Sequence, residues 1–150
     1  MKQRDTVSMP ADEVRKLLES GRKLQLATIN PDGTPHLVSM FYGMRDGRIA
    51  FWTYRASQKA RNLARDPRVS CLVEDGDDYF ELRGVQVTGS VTRIDDLAGV
   101  TEIGKLIAGR MAGQDAEVLD DYVAHAAAKR SAYLVEPRKV VSWDHRRLVG

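Results

Sequence analysis

The hydroxyl of Ser57 and the ammonium of Lys59 are the side chains whose types and spacing most directly suggest chemistry. They sit in the stretch FWTYRASQKARNLARDP, residues 51–67. Phe51, Trp52, Thr53 and Tyr54 have the aromatic and β-branched character of a strand. Ser57 is a good N-cap for a helix beginning near Gln58. Ala56, Ala60, Leu63 and Ala64 then form a narrow apolar stripe at helical spacing. Asp66-Pro67 ends the helix, because a residue before proline is pushed out of the helical region. Lys59 therefore falls in the first helical turn. A hydroxyl, free backbone N–H groups and a positive charge at a helix N-terminus suit a phosphate. The same types also describe an ordinary solvated lysine, and this pattern by itself leaves both readings open. Trp52 and Tyr54 could stack on a planar ligand or pack in a core or interface. Arg61 and Arg65, four apart on the same helix, read as a solvated face near the candidate phosphate.

The rest of the chain must position this turn. Val14, Leu17 and Leu18 give one apolar face to a helix over Pro10 to Glu19, with Asp12 and Glu13 in its first turn. A strand over Lys23 to Ile29 turns at Asn30-Pro31-Asp32-Gly33 into a second, Pro35 to about Arg45. In that strand His36, Val38, Met40 and Tyr42 face one way and Leu37, Ser39 and Phe41 the other. Asp46-Gly47 makes a hairpin turn into Arg48–Thr53, so the Ser57 turn is expected at the end of a three-stranded meander. Further strands are expected at Arg68–Glu74, Tyr79–Ile94 and Ser131–Glu136, the last ending at Pro137 before a short extended piece at Val140–Trp143. Gly84 and Gly89 read as bulges or bends of the kind barrels use at corners. Two helices follow Asp95-Asp96, one to about Arg110 and one from Ala116 to Arg130, with Gly113 as the break. The expected fold is mainly β with helical insertions. It is a small antiparallel barrel of six or so strands in one domain over residues 1–150.

Composition narrows the function classes. The 23 Lys and Arg nearly balance 21 Asp and Glu, and no run of five or six bases occurs, which disfavours a nucleic-acid-binding barrel. No segment approaches ~20 consecutive apolar residues and the first residues carry no apolar signal core, so neither membrane insertion nor secretion is expected. Cys71 is the only cysteine; an intramolecular disulfide is impossible, and a buried free thiol fits the cytoplasm. His36, His125 and His145 lie too far apart in sequence to form a metal-ligand spacing, and no metal is expected. Asp75, Asp77 and Asp78 lack the later ligands of a calcium loop and read as a solvated hairpin tip. No nucleophile elbow, P-loop or GxGxxG is present.

The order LATINPDGTPHLVSMFYG, RIAFWTYRASQKARNLARDPRVSCLV, YFELRGVQVTGSV and KVVSWDHRRL resembles the pyridoxamine 5′-phosphate oxidase-like split β-barrel superfamily. Within it the chain looks most similar to the small flavin/deazaflavin oxidoreductases that use coenzyme F420 or FMN. The resemblance spans about Leu24 to Leu148 and implies an FMN-binding-barrel-like fold. It implies that Thr53, Ser57 and Lys59 hold a cofactor phosphate, with Gln58 standing where FMN enzymes often carry Arg. It also places Ser39 and Met40 along the cofactor ring, with Trp52 lining the same groove. Two departures separate the chain from vitamin B6 oxidases. Gly84 stands where those enzymes carry Gln, and Trp143-Asp144-His145-Arg146-Arg147 replaces their Arg-x-His-x-Arg substrate signature.

The resemblance thus implies a homodimer with cofactor grooves between subunits, and hydride transfer between reduced coenzyme F420 and a small organic substrate. FMN is the alternative cofactor, and a non-catalytic flavin, deazaflavin or haem carrier the alternative role. No acid or base stands out, although Tyr42, Tyr54 and His36 are conceivable proton donors.

Overall fold

A computed structural model of the protein describes residues 2–111 and 116–149. Gly113 lies outside the described residues. The element order is α1 (Gln3–Val7), α2 (Ala11–Ser20), β1 (Lys23–Ile29), β2 (Pro35–Phe41), β3 (Gly43–Arg45), β4 (Arg48–Tyr54), α3 (Gln58–Arg65), β5 (Arg68–Asp75), β6 (Arg83–Ile94), α4 (Leu97–Ala108), α5 (Ala116–Ala127) and β7 (Arg130–Asp144). Short 3₁₀ turns cover Tyr79–Glu81 and His145–Leu148. Among the described residues no helix is long and apolar enough to cross a membrane.

All seven strands belong to one antiparallel sheet in the order β2-β1-β5-β6-β7-β4-β3. The two edge strands, β2 and β3, are consecutive in the chain and separated only by Tyr42. The sheet therefore curls until its edges meet, which makes it a split β-barrel. This corrects the expected meander: β2 pairs with β1 and β3 with β4, and no pairing joins β2 to β4. The break at Tyr42 has a physical cause. Its ring is fully buried, its hydroxyl donates to the Leu18 carbonyl, and the Arg110 guanidinium lies 4.6 Å from its centroid. That anchorage turns the chain out of β2 and into β3.

Alternation along the strands builds two cores. Leu24 and Leu26 on β1, Phe51 on β4, Val73 on β5, Val85 on β6 and Tyr133 on β7 point into the barrel, where Phe51 and Tyr133 stack at 5.0 Å. The opposite parity of β4 and β7, Ala50, Ala132 and Leu134, faces outward and packs under Val100, Ile103 and Ile107 of α4 and Ala127 of α5. The helical insertion thus exists to cover the outer face of β4 and β7, and half-buried Trp52 sits at the margin of that second core.

Three local expectations change. The strand expected from Tyr79 starts only at Arg83, after a 3₁₀ turn. Pro137 does not end its strand: β7 runs 15 residues through it, because Pro137 lies opposite Gly89 where the β6–β7 register shifts between Thr88 and Gly89. A proline that cannot donate is accommodated at such a bulge. Gly84 is not a bulge but a close approach: a Cβ there would lie 2.2 Å from the Trp143 ring. Gly89 does occupy the bulge, and a Cβ there would lie 2.0 Å from the Glu136 carbonyl oxygen.

Candidate functional site

Helix α3 is fixed at both ends and pinned in the middle. The Ser57 hydroxyl accepts from the Ala60 N–H at 3.2 Å and lies 3.2 Å from the Thr53 hydroxyl, so strand β4 and the helix cap are joined directly. At the other end the Asp66 backbone leaves the helical region and its carboxylate takes the Arg68 guanidinium at 2.7 Å. Between them Asn62 is fully buried and donates to the Thr28 hydroxyl at 3.1 Å and the Asn30 side-chain oxygen at 3.0 Å. A buried amide is tolerated only when it is paired. Asn62 therefore ties α3 to β1 and sets how its N-terminus is presented. Its position in the sequence, one residue before apolar Leu63, gives no signal of this role.

That N-terminus opens on a groove of about 410 Å³. One wall is edge strand β2, from Val38 through Ser39 and Met40 to Phe41; the floor is Trp52, Thr53 and Tyr54 of β4. The opposite wall is α4 and α5, through Gly104, Ile107, Ala108 and Tyr122, with Met111 just beyond α4. Lys59 and Arg130 complete the lining. An edge strand leaves half its peptide groups unclaimed by the sheet, so β2 offers backbone donors and acceptors along the groove.

Of the residues singled out in the sequence, Ser39, Met40, Trp52, Thr53 and Lys59 come together in this lining. Ser57 stands one step behind, bonded to Thr53. Gln58 is turned along the helix: its amide nitrogen donates to Asn62 at 2.8 Å and its oxygen accepts from Arg61 at 3.0 Å. Arg65 is engaged with the Ile29 carbonyl. Among the conceivable proton donors only Tyr54 lines the groove; Tyr42 is buried in the barrel, and burial pushes its phenol up. His145 Nδ1 donates to the Tyr79 carbonyl, 2.8 Å away. No group of acids, histidines or cysteine fit to hold a metal occurs among the described residues.

The electrostatics of the groove are one-sided. Among the described residues its lining contains two cations and no carboxylate. Lys59 is half-buried and makes no hydrogen bond or ion pair with any described residue, and desolvation holds its ammonium below the usual lysine range. The first amides of α3, those of Gln58 and Lys59, have no intrahelical acceptor. Arg130, Gly104 and Tyr122 carried no signal in the sequence, because they reach the groove only through the packing of α4, α5 and β7 against β4. Gly104 is required by contact: a Cβ there would lie 2.4 Å from the Trp52 ring.

Comparison with known proteins agrees with this architecture. A conserved hypothetical protein from Mycobacterium tuberculosis is 39% identical, with a TM-score of 0.91, over 100% of this chain and 94% of its own. A structure described as an F420 reductase is 26% identical, with a TM-score of 0.62, over 84% of this chain and 94% of its own. A heme binding protein from Mycobacterium smegmatis shares the fold at 20% identity and a TM-score of 0.68, over 97% of this chain and 60% of its own. Among curated proteins, none matches this sequence. Residues 10–144 match the pyridoxamine 5′-phosphate oxidase family. With the barrel, the α3 turn and that match in agreement, the chain belongs to the pyridoxamine 5′-phosphate oxidase family.

Proposed function

We propose that this protein is an oxidoreductase that binds coenzyme F420 in the groove between β2 and α4–α5, as a single domain spanning residues 1–150. The observation that carries the reading is the pairing of a half-buried Lys59, without a partner among the described residues, with the open N-terminus of α3 in a groove where no described residue is an acid. A desolvated ammonium without an acceptor is costly, and a phosphate oxygen is the kind of group that relieves it. In this assignment Lys59 supplies charge and the amides of Gln58 and Lys59 supply donors. Ser57 keeps the turn in register through Thr53. The β2 edge at Ser39 and Met40 orients the ring, while Trp52, Ile107 and Met111 keep water from it. When bound, the deazaflavin supplies the hydride chemistry, and the protein supplies binding and orientation.

Similarity to the F420 reductase supports the deazaflavin over FMN, as does Gln58, which offers no second cation at the phosphate. FMN is the alternative, and a carrier that binds without turnover is the second role, supported by the shared fold of the heme binding protein. Leu37 (67% exposed), Phe41 and Tyr54 leave apolar surface beside the groove, which suits a homodimer that buries the groove mouth against a second subunit. The buried free thiol of Cys71 suits a cytoplasmic protein.

Titrating the purified protein with coenzyme F420 and with FMN, and following Trp52 fluorescence, tests the assignment. Quenching by the deazaflavin at micromolar or lower concentration is expected. Tight FMN binding with no deazaflavin binding overturns the cofactor choice. Binding without turnover of any reducible acceptor moves the protein to the carrier role.

A further inference from the structure

The second cation of the groove has a geometry of its own. Arg130 opens β7 directly opposite Tyr54 in the β4–β7 ladder. Its guanidinium lies 3.9 Å from the Tyr54 ring centroid and 5.0 Å from that of Trp52. Nη1 donates to the Ala126 carbonyl at 2.9 Å, which closes α5 onto the strand. The Arg130 carbonyl in turn accepts from Arg55 at 3.1 Å, so backbone and side chain are both held. No described residue accepts from the remaining edge, Nε and Nη2, and no described carboxylate pairs with it. A guanidinium fixed on aromatic faces with a free two-donor edge is built to receive a planar oxyanion side-on.

We propose that Arg130 is a specificity-determining residue that receives the carboxylate of the reaction partner, and that the protein therefore acts on small organic acids with an apolar or aromatic body. This rests on the cofactor assignment above. Lys59 and Arg130 line one groove but are carried by different elements. Lys59 belongs to α3, which packs on β1 and β4, whereas Arg130 belongs to β7 and is tied to α5. The apolar wall of the groove, Ile107, Ala108 and Met111, comes from and just beyond the α4 helix that packs with α5, and it can hold a hydrocarbon body. One face of Tyr54 is covered by Arg130, so a ligand approaching from that side meets the cation rather than the bare ring.

The test uses two probes of nearly the same shape, benzoate and benzyl alcohol, titrated into the purified full chain by ligand-observed NMR. Wild-type protein is expected to prefer benzoate by about tenfold or more, the scale of a charge-assisted fork. Arg130→Met should abolish that preference while leaving benzyl alcohol within about twofold, a pattern a merely structural arginine would not give. Arg130→Lys keeps a point charge without the fork and should retain only a few-fold preference; it also serves if the methionine variant does not fold. Lys59→Ala should leave the benzoate preference intact while weakening coenzyme F420. Absence of preference in wild type, or a preference removed by Lys59→Ala and kept in Arg130→Met, overturns the inference. So does an Arg130→Met variant that loses coenzyme F420 affinity but keeps the benzoate preference, because the cation would then serve the cofactor. Failure of Lys59→Ala to change cofactor binding refutes the phosphate site without touching this result.

Discussion

Replacing Lys59 by Ala isolates the central claim, because the structure predicts opposite behaviour for binding and stability. Lys59 has no partner among the described residues, and its ammonium is half-buried and held below its usual range by desolvation alone. Removing it therefore breaks no hydrogen bond or ion pair with a described residue and relieves a desolvation cost that offsets the lost packing of its stem, so the melting temperature should stay within about a degree or two. Binding should behave otherwise. A hydrogen bond to a charged group contributes about 1.5–3 kcal/mol. At about 1.36 kcal/mol per factor of ten, Lys59→Ala should weaken the cofactor by roughly 13- to 160-fold. The assay is fluorescence quenching on titration with coenzyme F420. Trp52 lines the groove, whereas Trp143 packs on Gly84, so the signal reports the site. The same pair of proteins carries a pH test. An anion favours the protonated ammonium, so binding takes up a proton as pH rises through the lowered pKa of free Lys59. Wild-type affinity should fall toward that of the variant in alkaline solution, and the variant should lack this dependence. Equal affinity of wild type and variant at neutral pH refutes the phosphate-anchor assignment.

Two further outcomes follow from buried groups. Burial pushes the Cys71 thiol up to about 12, so it should remain inert to a thiol reagent at pH 8 in the native protein and react only at the rate of unfolding; fast stoichiometric labelling would contradict this. Asp144 is buried at the end of β7 and accepts from Arg146 at 2.7 Å and 2.9 Å, which holds its carboxyl below the usual range. Its contribution is complete above the unfolded value near 3.8 and is lost as pH falls through the lower folded value. Asp144→Asn should therefore cost about 1–3 kcal/mol at pH 7, and denaturant curves should show the gap to wild type closing below pH 3.8. A gap that stays constant into that acid range would refute the ion-pair origin.

Local chemistry made much of the molecule legible. Ser57 followed by a helical stripe and Asp66-Pro67 specifies a capped, sharply terminated helix, and α3 has those bounds. Alternation gave the faces of β2, since a strand with one more buried side has period two. The Thr53–Lys59 segment and Ser39-Met40 were readable as groove residues only through the family resemblance, and most of them do line one groove. Pro137 misled because a proline at a bulge and a proline ending a strand leave the same mark in sequence; only the register against Gly89 distinguishes them.

The chain by itself determined the helix N-terminus and the ammonium beside it, because both depend on residues within one turn of each other. Strand pairing was different. Whether β2 joined β1 alone or also β4 depended on where Tyr42 was buried, through bonds to Leu18 and stacking with Arg110 from distant segments. Closure of the sheet then brought β2 to face the α4–α5 insertion across β4. Arg130, some seventy residues after Lys59, entered the groove by that route. A site assembled from contacts between remote segments is set by the energy of the whole packing, and no local window contains it.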